Sequence, residues 1–175
     1  NPYENHDQYI PLSQRIIEAR INNGAKLVTF DVRLSNTAGK SQEWIPVNPG
    51  TDGIIALAMA QHILQQGLHD AEFLNKWTNV PAAKLSEHLA AYAPEQAEKV
   101  SGVKAAEIRR LAVELAQAKP ATVLTGRGVW GHGNGVLSER CVSLLCAVIG
   151  NIDIPGGNCL PRVMDLGEPA LKTAF

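Results

Sequence analysis

The chain has 175 residues, 45% of them apolar and 19% charged, with a formal net charge of -1. That composition is globular, and it leaves no basic footprint for nucleic acid or for an anionic membrane surface. No apolar run reaches the roughly 20 residues of a membrane span, and no signal-peptide pattern is present.

In chain order, Leu12, Ile16, Ile17 and Ile21 recur at helical spacing, and Asn22-Asn23-Gly24 reads as the end of that helix. Lys26-Leu27-Val28-Thr29-Phe30 reads as a buried strand ending at Asp31, and residues 34–43 as a polar loop. Trp44-Ile45-Pro46-Val47 fits a short edge strand, because Pro46 has no N–H for a ladder. After the turn Asn48-Pro49-Gly50, Thr51 is placed to start a long helix running to Gln66, where Gly67 stops it. Shorter helices are predicted near 70–77, 82–91 and 94–99, and a longer one carries Ile108, Leu111, Ala112 and Leu115. Ala121-Thr122-Val123-Leu124-Thr125 reads as a second strand, and an apolar helix is predicted over 136–149. Strands alternating with helices define an α/β domain with a mainly parallel sheet flanked by helices.

Two glycine-punctuated loops flank that last helix. The first runs from Gly126-Arg127-Gly128 through Gly131-His132-Gly133-Asn134-Gly135, and the second is Gly150-Asn151-Ile152-Asp153-Ile154-Pro155-Gly156-Gly157-Asn158. Glycine lets backbone approach a ligand closely, so the first loop, which mixes glycines with an Arg, a His and an Asn, is a candidate to wrap something polar and flat. In parallel sheets ligands sit at the carboxyl ends of strands, where Asp31 and Gly126-Arg127-Gly128 fall. Asp31 can accept hydrogen bonds from ribose or a base edge, or simply cap a turn. Arg33 can grip phosphate or lie on the surface. Asp52 suits a helix start in any case, and a carboxylate is also the natural acceptor for the paired N1–H and N2–H₂ donors of guanine. Glu4 and His6 read as loop residues near a ligand; His62, His69 and His88 read as structural or surface residues. Cys141, Cys146 and Cys159 include no C-x-x-C pair and read as free thiols rather than metal ligands. There is no P-loop pattern and no nucleophile elbow.

Taken together, Asn1-Pro2-x-Glu4-x-His6, Asp31-Val32-Arg33, Pro49-Gly50-Thr51-Asp52, the first glycine loop and Gly150-Asn151-Ile152-Asp153-x-Pro155-Gly156-Gly157 occur in one order. This series resembles the molybdopterin oxidoreductases of the dimethyl sulfoxide reductase superfamily, and most of all the branch acting on polysulfide, thiosulfate, tetrathionate or arsenate. The resemblance implies a Rossmann-like domain over residues 1–160, lacking its first strand, that binds one molybdopterin guanine dinucleotide, with 161–175 starting a return toward a neighbouring domain. It implies Asn1 and Glu4 near the nucleotide, Asp31 and Arg33 on ribose and phosphates, Asp52 at the guanine, and Gly50 among the cofactor-binding residues. Arg127, Gly128 and His132 would line the path to the pterin, with Arg162 near pterin and metal; Arg127 and Arg162 could stabilise an anionic substrate or the reduced pterin. No metal ligand and no catalytic residue is assigned within the chain.

The resemblance further implies a molybdenum or tungsten ion and a [4Fe–4S] centre in a longer parent chain, in keeping with a sequence that opens on Asn1-Pro2. The partners it implies are the rest of a catalytic subunit, an iron–sulfur electron-transfer subunit and a membrane anchor, the parent being periplasmic or membrane-associated. Two other readings stand beside it: a cofactor-free structural homologue in an electron-transfer complex, and a nucleotide-binding domain of another oxidoreductase.

Overall fold

The computed structural model describes residues 2–4 and 9–160, so Asn1, His6, Arg162 and the segment 161–175 lie outside the described residues. In chain order the elements are α1 (Tyr9–Asn23), β1 (Val28–Asp31), α2 (Asn36–Lys40), β2 (Glu43–Pro46), α3 (Asp52–Gln65), α4 (Ala71–Trp77), α5 (Ala82–Leu89), α6 (Pro94–Ser101), α7 (Ala105–Gln117), α8 (Arg127–Trp130) and α9 (Gly135–Val148).

The centre of the molecule is α3. Its sequence is apolar nearly all round, the mark of a helix enclosed on every side. Ala58, Ala60 and Ile63 are fully buried, and α5, α6, α7 and α9 surround them with Leu89, Ala97, Ile108 and Val148. The small side chains of α3 let these neighbours come close.

The α/β character holds, but the sheet is smaller than expected. Among the described residues it has two strands, β1 and β2, paired in parallel from Val28 opposite Glu43 to Asp31 opposite Pro46. The crossover between them is not the polar loop expected over 34–43, because it contains α2. Ser35 starts that helix by accepting the Ala38 N–H at 3.2 Å, and Thr37 and Ala38 are buried beneath it. Five residues are too few to show a helical period.

Ala121–Thr125 does not join the sheet. A side chain takes the place of a neighbouring strand: Asn158 accepts the Val123 N–H at 3.0 Å and donates to the Val123 carbonyl at 2.7 Å. Asn151 donates to the Ala121 carbonyl at 3.1 Å. The backbone of this segment is satisfied without a ladder, as a half-buried backbone requires.

Helices α3 and α9 lie side by side and run in the same direction. Near their N-terminal ends, a Cβ placed on Gly53 would stand 3.0 Å from Ser138 Cα. Beyond their C-terminal ends, the Asp70 N–H donates to the Val148 carbonyl at 2.9 Å. The second glycine loop belongs to this far end. Gly150 has φ +67°, and a side chain there would run into the Asp70 carboxylate. At Gly150 that loop therefore closes protein on protein.

Candidate functional site

The near end of the molecule gathers four chain features on one rim. Both parallel strands finish there, at Asp31 and Pro46, and both α3 and α9 begin there. A cleft of about 240 Å³ opens between the two helix starts, lined by Gly50, Thr51, Gly53 and Ile54 on one side and by Asn134, Leu137, Ser138 and Cys141 on the other.

Among the described residues, neither helix start is capped by a side chain. Thr51 would be the natural cap of α3, but its hydroxyl donates to the Asn48 carbonyl at 2.6 Å. The first N–H groups of a helix have no partner within the helix and carry the positive end of its dipole. Two such ends, parallel and adjacent, reinforce each other and make a place suited to an anion.

The two lips of the cleft touch. Gly50, at φ +74°, brings the β2–α3 loop under the His132 ring, which a Cβ on Gly50 would meet at 3.7 Å. Asp52 is half-buried just beyond. Burial raises its pKa, its own backbone N–H and the nearby His132 oppose that rise, and the Asp31 charge adds to it. No other side chain donates to this carboxylate among the described residues. An ionised acid in that position is short of donors, which is the complement of a donor-rich base edge.

Asp31 is held firmly. Its main-chain carbonyl accepts from Trp44 Nε1 at 3.0 Å and from the Val47 N–H at 3.4 Å, while its Oδ2 accepts from the Ser35 hydroxyl at 2.7 Å. Arg33, two residues on, donates to the Glu4 carboxylate through both terminal guanidinium nitrogens, at 3.4 and 2.5 Å. Glu4 also accepts the Asn36 N–H, and that bond, followed by Arg33, holds its carboxyl below the ordinary range. Arg33 is thus committed to an internal pair while its side chain stays 64% exposed.

Of the residues singled out from sequence, Asp31, Gly50, Asp52 and His132 are brought together. Glu4 and Arg33 sit beside Asp31 as a pair. Arg127 and Gly128 are exposed on α8, one short helix upstream of His132, and Asn1 and Arg162 fall outside the described residues. Sequence reasoning passed over Gly53 and Ser138, which set how closely α3 and α9 approach, and Ser35, which fixes Asp31. The signal for Ser35 was a helix-capping residue type four positions after an acid; for the other pair there was none short of the helix crossing itself. The cysteines remain free, with Cys146 buried, Cys141 half-buried in the cleft wall and Cys159 exposed. Burial pushes the Cys146 thiol up to about 11, so it stays protonated and inert. No group of three or more candidate metal-binding side chains occurs among the described residues, and no helix among them is long and apolar enough to cross a membrane.

The chain is an α/β domain with a rim at the carboxyl ends of its parallel strands, the place where open α/β sheets seat their ligands. The chain belongs to the molybdopterin oxidoreductase family, whose model matches residues 1–165. It is similar to the dimethyl sulfoxide reductase DmsA of Haemophilus influenzae, at 34% identity over 98% of this chain and 24% of that protein. It is also similar to the arsenate respiratory reductase molybdopterin-containing subunit ArrA of Chrysiogenes arsenatis, at 32% identity over 87% of this chain and 20% of that protein. Among solved structures, the acetylene hydratase of Pelobacter acetylenicus matches with a TM-score of 0.72 and 28% identity over 79% of this chain and 19% of that one. The chain therefore spans about a quarter or less of the length of these relatives.

Proposed function

We propose that this chain is the part of a molybdenum or tungsten oxidoreductase that holds one molybdopterin guanine dinucleotide, seated along the rim from Asp31 to α9 in a Rossmann-like manner. The observation that carries the reading is the pairing of two uncapped, parallel helix starts with two carboxylates on the same rim. The first offers N–H groups to a diphosphate, and the second offers acceptors to ribose and guanine. The uncapped helix N–H groups suit the diphosphate of such a ligand, and the two carboxylates suit its ribose and guanine.

In this reading Asp52 accepts the N1–H and N2–H₂ of guanine, Asp31 binds the ribose, and the first turns of α3 and α9 bind the diphosphate. Gly50 keeps the backbone clear beneath the nucleotide. Glu4 and Arg33 buttress the Asp31 end, and Arg127, Gly128 and His132 lie along the route to the pterin. When bound, the metal held by the pterin supplies two-electron redox chemistry at the substrate. This chain binds, orients and sets the local field.

The relatives support the division of labour. A dimethyl sulfoxide reductase, an arsenate reductase and an acetylene hydratase carry out three different reactions, yet each aligns with this chain at 28–34% identity. The shared region serves what such enzymes have in common, the cofactor. For the parent enzyme we propose reduction of a sulfur or arsenic oxyanion or polysulfide. We further propose a [4Fe–4S] centre elsewhere in the catalytic subunit, an iron–sulfur partner subunit with a membrane anchor, and a periplasmic or membrane-associated site. That the arsenate relative is named as a molybdopterin-containing subunit supports an assembly of several chains.

The test is titration calorimetry with GDP and ADP, backed by metal analysis of the protein isolated from its native host. Binding of GDP in preference to ADP, with molybdenum or tungsten in the isolated protein, is the expected result. Equal affinity for both nucleotides, or for neither, overturns the reading.

A further inference from the structure

We propose that Ser35 is a positioning residue for Asp31, turning one carboxylate oxygen inward so that the other is presented to a ribose hydroxyl; this rests on the reading of the rim given above. Ser35 is 2% exposed and so is itself out of reach of a ligand. Its hydroxyl has one proton and can accept as well as donate. The Ala38 N–H points at the oxygen from 3.2 Å, which occupies Ser35 as an acceptor. The hydroxyl proton is then left for Asp31 Oδ2, 2.7 Å away. The α2 backbone therefore fixes the direction of the Ser35–Asp31 bond, and each of the two bonds polarises the other.

The consequence for Asp31 is an asymmetric carboxylate. Its main chain cannot shift, because Trp44 Nε1 and the Val47 N–H both hold its carbonyl. Its Oδ2 is spoken for. Its Oδ1 has one long contact, the Arg33 N–H at 3.4 Å, and keeps acceptor capacity. A carboxylate with one anchored and one open oxygen, at the carboxyl end of a parallel strand, is pre-organised to take a hydroxyl without losing side-chain freedom on binding. The short helix α2 has in this account no ligand of its own. It serves as the brace that aims Ser35.

A purely structural Ser35 would also cap α2, so the test must separate the cap from the aim. Calorimetry on the full chain compares GDP with 2′,3′-dideoxy-GDP, which lacks the ribose hydroxyls, for the wild type and for Ser35→Ala, Ser35→Gly and Ser35→Thr. Ser35→Gly guards against a misfolded alanine variant, because glycine is tolerated at a helix start. The expected result is a roughly tenfold loss of GDP affinity in Ser35→Ala and Ser35→Gly, the scale of one hydrogen bond to a charged group. Dideoxy-GDP affinity should stay within about twofold, as for independent sites, and Ser35→Thr should restore GDP binding. Equal losses for both nucleotides, or no loss for GDP, overturns the proposal while leaving the rim reading in place. A wild type that binds neither nucleotide overturns the rim reading and the proposal with it.

Discussion

Gly53 and Ser138 hold α3 and α9 so close that a single methyl group at Gly53 would stand 3.0 Å from Ser138 Cα and 3.2 Å from its Oγ. The cleft floor is built on this contact. Ser138 is 3% exposed and cannot swing away into solvent.

Gly53→Ala is accordingly expected to destabilise. The cost of overpacking, about 1–3 kcal/mol, exceeds the roughly 1 kcal/mol of helix propensity gained by replacing glycine. The two lips should also separate, so GDP affinity should fall with the melting temperature. Thermal melts and calorimetry read both effects; a variant that melts higher than wild type would show that the helices yield.

Asp52→Asn should abolish the preference for GDP over ADP. The amide donates where the carboxylate only accepts, so discrimination of about 1–3 kcal/mol is at stake. Wild-type GDP affinity should decline as pH falls into the acid range. Burial raises the Asp52 pKa, which brings its protonation closer to neutral pH than for an ordinary aspartate. The Asn variant should show neither the preference nor this pH dependence.

A charge network binds α7 to the sheet. Arg110 reaches Glu43, Glu107 and Glu114, and Lys26 reaches Glu43 and Glu114. Arg110, then Lys26, holds the Glu43 carboxyl down to about 2. The folded value lies below the unfolded one of about 4.3, so the stabilisation is complete above pH ~4.3 and is lost as pH falls from there. The partners are partly solvated, so Glu43→Gln should cost about 1 kcal/mol at neutral pH and flatten the acid limb of a stability–pH curve.

His62 sits inside α3 at 9% exposure, and among the described residues its Nδ1 has no hydrogen-bond partner. Burial, then the charge of Arg109, lowers its pKa. The folded protein favours the neutral ring, so stability is complete above the unfolded value of about 6.5 and falls as pH drops through it. Urea denaturation of His62→Leu between neutral and mildly acidic pH should lack this decline.

Asn158→Asp should release the Ala121–Thr125 segment. The carboxylate cannot donate to the Val123 carbonyl, and a half-buried carbonyl left unpaired costs about 1–3 kcal/mol. Faster hydrogen exchange at the Val123 amide, with a lower melting temperature, is the expected outcome.

The parts of this fold that the sequence made legible are those whose cause is local. β1, β2, α3 and α9 follow from short apolar runs, helical spacing and the glycine turns that bound them. Asp31, Gly50 and Asp52 could be placed together because strand ends and helix starts share a rim in parallel architectures. What escaped depends on distant partners. Val123 has strand composition, but its hydrogen bonds come from a side chain 35 residues away, so the run stays single-file. Arg33 reads as a free cation until Glu4, 29 residues earlier, is seen to take it. α2 is too short to announce itself by period, and the contact of Gly53 with Ser138 exists only once the two helices cross.

The parallel course of α3 and α9 has a consequence for how this molecule senses sign. Among the described residues the cleft between their starts has no lysine or arginine in its lining, and the chain as a whole is slightly acidic. Attraction for an anion there is written into peptide bonds. Its local source is the aligned N–H groups of the two first turns, which no side-chain modification removes.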